Sequence, residues 1–260
     1  MSQPTDLVIS TTPQPGTRVC TLNRPAKRNA LSQDLIDQLL RQLQLASADP
    51  EVRSIIITGA GGFFSAGADI KEISQLDAED ARRVRYLQDL CDGVRNVRKP
   101  VLVAVEGKAL GGGFELALMA DFIVATPESQ FGLPEVSIGL IPGAGGTQRL
   151  TSALGKYRAM NVILLGELLS GSEAHNVGLV SHLAEPGKAG ERALDLAAKL
   201  ASRSPTAIQL AKEAISTADQ LGQDEPFERS LYYMSFGTKD KKEGVSAFLE
   251  KRPPVWSSSA

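Results

Sequence analysis

Short runs of aliphatic residues alternate with longer segments of helical periodicity through the first half of the chain. Three runs are almost continuously apolar: "RSIIITG" (53–59), "PVLVAVEG" (100–107) and "DFIVAT" (121–126). Such runs are typical of strands that are covered on both faces of a sheet. The segments 32–49 and 78–97 repeat apolar residues at helical spacing, so each predicts a helix. Strands spaced by helices predict an α/β protein built from βα-type units that lie side by side.

The two ends of the chain carry different patterns. Residues 6–10 and 17–23 predict two short strands, separated by a turn at "TTPQPG" (11–16). Ser32 then stands where the N-cap of the first helix is expected. The last part of the chain is almost continuously amphipathic and helical, with one interruption at "GLVSHLAEPG" (178–187). Helices that follow a completed core favour a role at a subunit interface or in a lid.

Composition and charge count against several classes of protein. The 260 residues include 28 basic and 30 acidic side chains, giving a formal charge of −2 without the basic stripe expected of a protein that binds duplex nucleic acid. No apolar run approaches the roughly 18 residues that cross a bilayer. The first ten residues lack the apolar core of a signal peptide. We therefore expect a cytoplasmic protein with no membrane or nucleic-acid partner, and leave an organellar location open.

Two glycine-rich turns follow two of the predicted strands. "TGAGGFFSAGAD" (58–69) and "EGKALGGGFE" (106–115) each lead from a strand towards a helix, where backbone N–H groups lack partners and can hold an anion. Neither turn is a known phosphate loop, because GxGxxG fails at Phe64 and at Gln148 and no Gly-Lys pair in the sequence is followed by Ser or Thr. No G-x-S-x-G elbow occurs. Nucleotide hydrolases, dinucleotide dehydrogenases and serine hydrolases are all disfavoured.

Two glutamates stand in apolar company close to these turns. Glu115 follows the three glycines of "GGGFELALMA", and Glu135 ends "FGLPE". A buried carboxylate tends to hold its proton, and two of them in one site can divide the work of proton donor and acceptor. Paired backbone N–H groups would stabilise an enolate. The set favours proton transfer beside a carbonyl, although either glutamate could instead satisfy helix amides.

Five ordered motifs make the sequence resemble the enoyl-CoA hydratase/isomerase family, the crotonase-like enzymes, along nearly its whole length. They are "LNRPAKRNAL", "FSAGADIKE", "GGGFELALMADFIVA", "FGLPEVSIGLIPGAGGTQRL" and "KKEGVSAFLEKR". The resemblance implies a crotonase-like spiral of repeated ββα units over residues 1–195. It also implies a C-terminal helical region, residues 196–260, that builds homotrimers or homohexamers.

The resemblance also implies a substrate and the residues that bind it. The substrate would be an acyl thioester of coenzyme A, with no separate cofactor and no metal. The N–H groups of Ala68 and Gly112 would hold the thioester oxygen, and the segment from Ala66 through Ala68 to Lys71 would line the coenzyme A site. That binding set comprises Arg28, Ala66, Ala68, Asp69, Ile70, Lys71 and Gly112. Residues 73–85 and the C-terminal helix would shape the acyl pocket.

Three functions stay open at this point. Having both glutamates implies a hydratase, in which Glu115 activates a water, Glu135 exchanges a proton at the α-carbon, and the Gly143 N–H holds the same water. An isomerase that moves a double bond from position 3 to position 2 is the second hypothesis. A non-catalytic scaffold or RNA-binding relative is the third, and the near-neutral charge counts against it.

Overall fold

The fold is taken from a computed structural model, which describes residues 6–220 and 224–256. Three segments lie outside the described residues: 1–5 in the predicted core region, and 221–223 and 257–260 in the predicted C-terminal region. Nine strands are present in the described part: β1 Val8–Gln14, β2 Thr17–Leu22, β3 Ser54–Gly59, β4 Val101–Val105, β5 Lys108–Leu110, β6 Phe122–Ala125, β7 Gln130–Gly132, β8 Leu169–Ser170 and β9 His182–Leu183. Among the same residues, none of the helices is long and apolar enough to cross a membrane.

Helices fill most of the remaining chain. The first six are α1 Gln33–Ala48, α2 Ile70–Gln75, α3 Ala78–Arg83, α4 Gln88–Arg95, α5 Gly112–Leu118 and α6 Gly146–Leu154. The later ones are α7 Lys156–Leu164, α8 Gly171–Asn176, α9 Ala189–Ala201, α10 Pro205–Gln220, α11 Glu225–Ser235 and α12 Lys239–Glu250. Three short 3-10 helices cover residues 25–27, 60–62 and 135–138.

The main sheet has six strands in the order β1-β2-β3-β4-β6-β9. The pair β1 and β2 is antiparallel, and every other neighbouring pair is parallel. Side chains alternate between its two faces: Ile55 and Ile57 join the main core, whereas Ile56 faces a second cluster with Ala193 and Ala197 of α9. The near-continuous apolar runs of β3 and β4 therefore arise because helices cover both faces of this sheet.

A smaller sheet positions the second glycine-rich turn. Its strand order is β5-β7-β8, with β7 parallel to β5 and antiparallel to β8. The strands are only two or three residues long, too short for a hydrophobic period to reveal them in the sequence. The Gly111 N–H donates to the Gly132 carbonyl at 2.9 Å, which fixes the start of α5 against this sheet.

Two sequence predictions need correction. The single helix predicted over 78–97 is divided into α3 and α4, because Arg85 and Leu87 adopt left-handed φ angles of 51° and 65°. The turn predicted over 11–16 is shorter than expected, since β1 continues through Pro13. Proline is tolerated there because β1 is an edge strand.

The predicted boundary between residues 195 and 196 falls within α9, Ala189–Ala201. This helix packs on the main sheet through Ala193 and Ala197, so its two halves share one apolar cluster. The assignment of residues 196–260 to an oligomerisation region stays a prediction.

Candidate active site

Glu115 lies in the first turn of α5, and the residue is only 1% exposed. Its Oε1 atom accepts two backbone hydrogen bonds, from the N–H of Ala144 and the N–H of Gly146, each at 2.8 Å. Both donors belong to the "GAGGT" segment, residues 143–147, which leads into α6. The segment therefore holds one carboxylate oxygen of Glu115 in a fixed direction.

Glu135 begins the 3-10 helix 135–138 and lies against the glycine-rich turn that precedes Glu115. A methyl group built on Gly111 would lie 2.9 Å from its Oε1 atom. Gly111 has φ 51° and ψ −132°, a backbone conformation that favours glycine, so the turn needs glycine for both space and conformation. The Oε2 atom of Glu135 is buried and has no hydrogen-bond partner among the described residues.

Burial raises the pKa of both carboxyls. The pKa of Glu115 is raised well above its ordinary value, first by burial and then by the charges of Glu135 and Glu228, while its two backbone donors oppose the rise. Burial raises the pKa of Glu135 to about 7, and the charge of Glu228 adds to the effect. Two coupled carboxyls of this kind share protons, so one can be protonated while the other is ionised near neutral pH.

The two glycine-rich turns meet beside these carboxyls. A methyl group built on Gly112 would lie 3.4 Å from the Ala68 nitrogen, and one on Gly67 would lie 2.9 Å from the Gly112 nitrogen. Gly67 has φ 89°, so glycine is required at this crossing both for space and for its backbone conformation. Within the described residues, neither the Ala68 N–H nor the Gly112 N–H donates to a protein acceptor. Both are therefore available to a ligand oxygen.

Asn29 organises the first turn and was missed by the sequence analysis. It is fully buried with φ 53°, and its amide nitrogen donates to the carbonyls of Ala60 and Phe63 at 2.9 and 2.6 Å. Its own carbonyl accepts from the buried Ser65 hydroxyl at 2.9 Å. The only signs of this role in the sequence are the polar residues Asn29 in "KRNAL" and Ser65 in "FSAG". The contacts themselves could not be predicted, because they join segments more than 30 residues apart.

The residues predicted to bind coenzyme A lie close together, and they range from exposed to buried, with Gly112 buried. Arg28 is exposed, and its carbonyl accepts the N–H of Ala66 at 2.9 Å, so it borders the predicted segment. Ile70 is partly buried and Lys71 is exposed. Asp69 also has a structural role: it caps α2 through the Lys71 N–H at 3.1 Å and pairs with Arg24 at 3.1 Å.

A third buried glutamate, Glu228 of α11, also reaches the 143–147 segment. It is 2% exposed and accepts from the N–H groups of Gly145 and Thr147 at 2.6 and 2.7 Å. No motif in the sequence singled out Glu228, which lies one turn before Tyr232 and two turns before Phe236, both buried aromatic residues of the same helix region. A glutamate on the same helix face as buried aromatic residues is unusual, and this spacing could have indicated its burial.

Aromatic side chains pack behind the carboxyls. A side chain on Gly143 would overlap the ring of Tyr232, which packs directly on that glycine. Tyr232 in turn stacks on Tyr86 and meets Phe236 edge-on, with centroids 6.5 and 5.1 Å away. Tyr86 lies between the two left-handed residues that divide α3 from α4. The division of the predicted helix therefore brings an aromatic ring to the site.

Helix α12 is tied to the same region. The Lys241 ammonium is buried and donates to the carbonyls of Ile73 and Leu76 at the end of α2, at 2.8 and 2.7 Å. Gly244 packs against the Ile138 backbone of the 3-10 helix that carries Glu135. The predicted participation of residues 73–85 and the C-terminal helix in an acyl pocket stays a prediction.

The arrangement combines two coupled carboxyls with two free backbone N–H groups. Such a site can move protons next to a carbonyl whose oxygen the N–H groups hold. The described residues contain no group of three or more His, Cys, Asp and Glu side chains arranged to bind a metal. Fold and site together define an enzyme that transfers protons at a carbon next to a carbonyl group.

A sequence model of the enoyl-CoA hydratase/isomerase family matches residues 13–259. The chain is 45% identical to a probable mitochondrial enoyl-CoA hydratase of Dictyostelium discoideum, over 91% of this chain and 86% of the relative. It is 42% identical to the 2,3-dehydroadipyl-CoA hydratase of Escherichia coli, over 90% and 92% of the two chains. The crystal structure of carnitinyl-CoA hydratase from Mycobacterium avium is similar, with TM-score 0.86, 34% identity and coverage of 98% and 100%.

The chain belongs to the enoyl-CoA hydratase/isomerase family. The family resemblance and the crotonase-like α/β fold predicted from the sequence motifs are confirmed.

We expect Glu135→Gln to stabilise the unliganded protein at alkaline pH. Because the folded pKa of about 7 lies above the ordinary 4.5, the folded state keeps a proton that the unfolded chain releases. Stability is therefore lost as pH rises from about 4.5 to about 7, and glutamine avoids this loss. The gain at pH 8 should be on the order of 3 kcal/mol, or several degrees in Tm, and should vanish near pH 4.5. Thermal unfolding at both pH values tests this, and an equal difference at both would contradict it.

Proposed function

We propose that this chain is an enoyl-CoA hydratase, which adds water reversibly across the 2,3 double bond of 2-enoyl-CoA thioesters. One observation carries the proposal: Glu115 and Glu135 lie together with raised pKa values beside two unpaired backbone N–H groups. Relatives at 42–45% identity over about nine-tenths of the chain carry the name hydratase, which supports it.

In this mechanism the two glutamates exchange roles during one turnover. Ionised Glu115 takes a proton from a water whose oxygen bonds to C3 of the enoyl group. The electrons of the double bond move to the thioester oxygen, giving an enolate held by the Ala68 and Gly112 N–H groups. Protonated Glu135 then delivers its proton to C2, so one water has been added and each glutamate has changed its protonation state. Return of the proton from Glu115 to Glu135, directly or through solvent, restores the starting state for the next turnover. Burial raises the pKa of both carboxyls, but the two N–H groups that donate to Glu115 Oε1 favour its ionised form, whereas Glu135 Oε2 has no partner among the described residues; the single proton of the coupled pair is therefore assigned to Glu135.

The remaining residues of the proposal bind the substrate. The stretch from Ala66 to Lys71 lines the coenzyme A moiety, with the Lys71 ammonium near the pyrophosphate and the Arg28 guanidinium near the adenine or ribose phosphate. Both cations are exposed on the surface that carries Ala68, which supports this placement. Gly143 offers its N–H to the attacking water. Coenzyme A enters as part of the substrate, and no other cofactor is required.

A spectrophotometric assay tests the proposal. Purified protein is mixed with crotonyl-CoA and with longer 2-enoyl-CoAs, and the loss of enoyl absorbance is followed. We expect rapid loss that stops at an equilibrium between the enoyl and 3-hydroxyacyl thioesters. A protein that binds acyl-CoA but leaves the absorbance unchanged would contradict the proposal, and conversion of a 3-enoyl-CoA would then indicate the isomerase.

We also propose a homotrimer or homohexamer. Large apolar side chains are exposed on α7, α10 and α11, including Tyr157 at 85%, Leu165 at 70% and Ile215 at 69%. Apolar surface of this extent favours burial against another subunit. Sedimentation velocity of the purified chain is expected to give a species of three or six subunits, and a stable monomer at micromolar concentration would contradict the proposal.

The cytoplasmic location expected from the sequence is kept as a proposal. The Dictyostelium relative is named as mitochondrial, so an organellar location stays open. Fractionation of the source cells, followed by immunodetection of the native chain, separates the two locations.

A further inference from the structure

Four consecutive backbone N–H groups divide between two glutamates. The N–H groups of residues 144 and 146 donate to Glu115, and those of 145 and 147 donate to Glu228. The Thr147 hydroxyl also donates to Glu228. Because alternate donors face opposite carboxylates, the segment is held from both sides and its amide directions are fixed.

Helix α11 presents one face to this segment. Tyr232, one turn after Glu228, packs on Gly143 at the beginning of the segment. Glu225, almost one turn before Glu228, pairs with Arg149 at 2.6 Å, and Arg149 donates to the Ala144 carbonyl at 2.8 Å. Residues spaced at 225, 228 and 232 share a helix face, so α11 contacts the segment directly through Tyr232 and Glu228 and indirectly, through Arg149, from Glu225.

We propose that Glu228 is a positioning residue for hydration: it holds the 143–147 segment so that Ala144 and Gly146 aim Glu115 at the water, while the Gly143 N–H faces the same water. This inference rests on the proposed function. In this proposal Glu228 acts through the segment, to which it is joined by the Gly145 and Thr147 N–H groups and the Thr147 hydroxyl. Glutamine in its place keeps one acceptor oxygen and turns an NH2 group towards the other donor, so either the Gly145 or the Thr147 N–H would lose its partner, and the segment would rotate to satisfy it.

A charge so close to the pair must also affect its titration. The anionic form of Glu228 adds to the raised pKa of Glu115 and of Glu135, so a neutral residue in its place should move the activity profile to lower pH. Charged groups of several neighbouring elements surround this region and contribute to the same profile. They are Arg95 on α4, Glu115 on α5, Glu135 on the 3-10 helix, Arg149 on α6, and Glu225 and Arg229 on α11.

The experiment measures kcat, KM and the pH profile of kcat/KM for the hydration of crotonyl-CoA. The parent is compared with Glu228→Gln alone and in the Glu115→Gln background. Glu106→Gln is the matched control, because Glu106 also accepts two backbone N–H groups, from Gly187 and Ala189, but outside the site. Glu228→Asp keeps the charge on a shorter side chain, and it provides the test if Glu228→Gln does not fold.

We expect Glu228→Gln to lower kcat about 10- to 100-fold with KM within about threefold, and to shift the profile to lower pH. In the Glu115→Gln background the same change should cost less than about threefold, because Glu228 acts through Glu115. Glu228→Asp should lower kcat at least about fivefold without that pH shift. Additive losses, or a loss no larger than that of Glu106→Gln, would overturn the proposal. A parent that does not hydrate crotonyl-CoA would contradict the proposed function instead.

Discussion

Glu115→Gln is expected to lower kcat for crotonyl-CoA hydration by about 10³-fold, and Glu135→Gln by a similar factor. Glutamine preserves the size of the side chain and can still accept from Ala144 and Gly146 through its amide oxygen. It can neither take a proton from water nor deliver one to C2. Steady-state kinetics with crotonyl-CoA measure the loss, and thioester binding is measured by calorimetry.

The control for both variants is Glu106→Gln, a neutralised glutamate that caps backbone N–H groups outside the site. It should retain nearly the activity of the parent. Since the two glutamates act on one water and one enolate, the double variant should lose little more than either single variant. A Glu115→Gln enzyme with more than a tenth of the parent kcat would exclude Glu115 as the base.

The positions of Glu115 and Glu135 could be predicted because short motifs carry them. Glu115 lies in "GGGFE" and Glu135 in "FGLPE", and the apolar neighbours of Glu115 predicted its burial, which the structure gives as 1% exposure. Parallel strand order then brings the two turns together, because the carboxyl ends of neighbouring strands meet at one edge of a sheet. Local sequence and elementary topology were sufficient for this part.

Long-range contacts could not be predicted in the same way. Glu228 contacts the 143–147 segment although 81 to 83 residues separate it from the N–H groups that it binds. No pattern within α11 indicates which segment Glu228 contacts. The division of the helix predicted over 78–97 depends on left-handed Arg85 and Leu87, residue types that rarely adopt this conformation. Tyr86 between them packs on Tyr232 and Phe236, contacts that no local helical pattern reveals.

The closeness of Gly146 to Glu115 gives the second prediction. A methyl group on Gly146 would lie 2.7 Å from the Glu115 Oε1 atom and 2.8 Å from the Pro142 Cβ atom, both well inside contact distance. Gly146 is the first residue of α6, where alanine suits the helical backbone, so the substitution should leave the fold intact. We therefore expect Gly146→Ala to displace the carboxylate and not to unfold the protein.

A displacement approaching 1 Å at a reacting group costs about 10²-fold, so kcat of Gly146→Ala should fall by that factor while KM changes little. Gly190→Ala is the matched control, because Gly190 also lies in the first turn of a helix, α9, and a methyl group there meets nothing within 4 Å. It should keep the activity of the parent with equal or slightly higher Tm. If Gly146→Ala kept its kcat, the Ala144 and Gly146 donors would not determine the position of Glu115. If KM rose and kcat did not fall, the 143–147 segment would contact the substrate directly. Glu115 would then act as the base despite a displacement that the geometry of general-base catalysis does not allow.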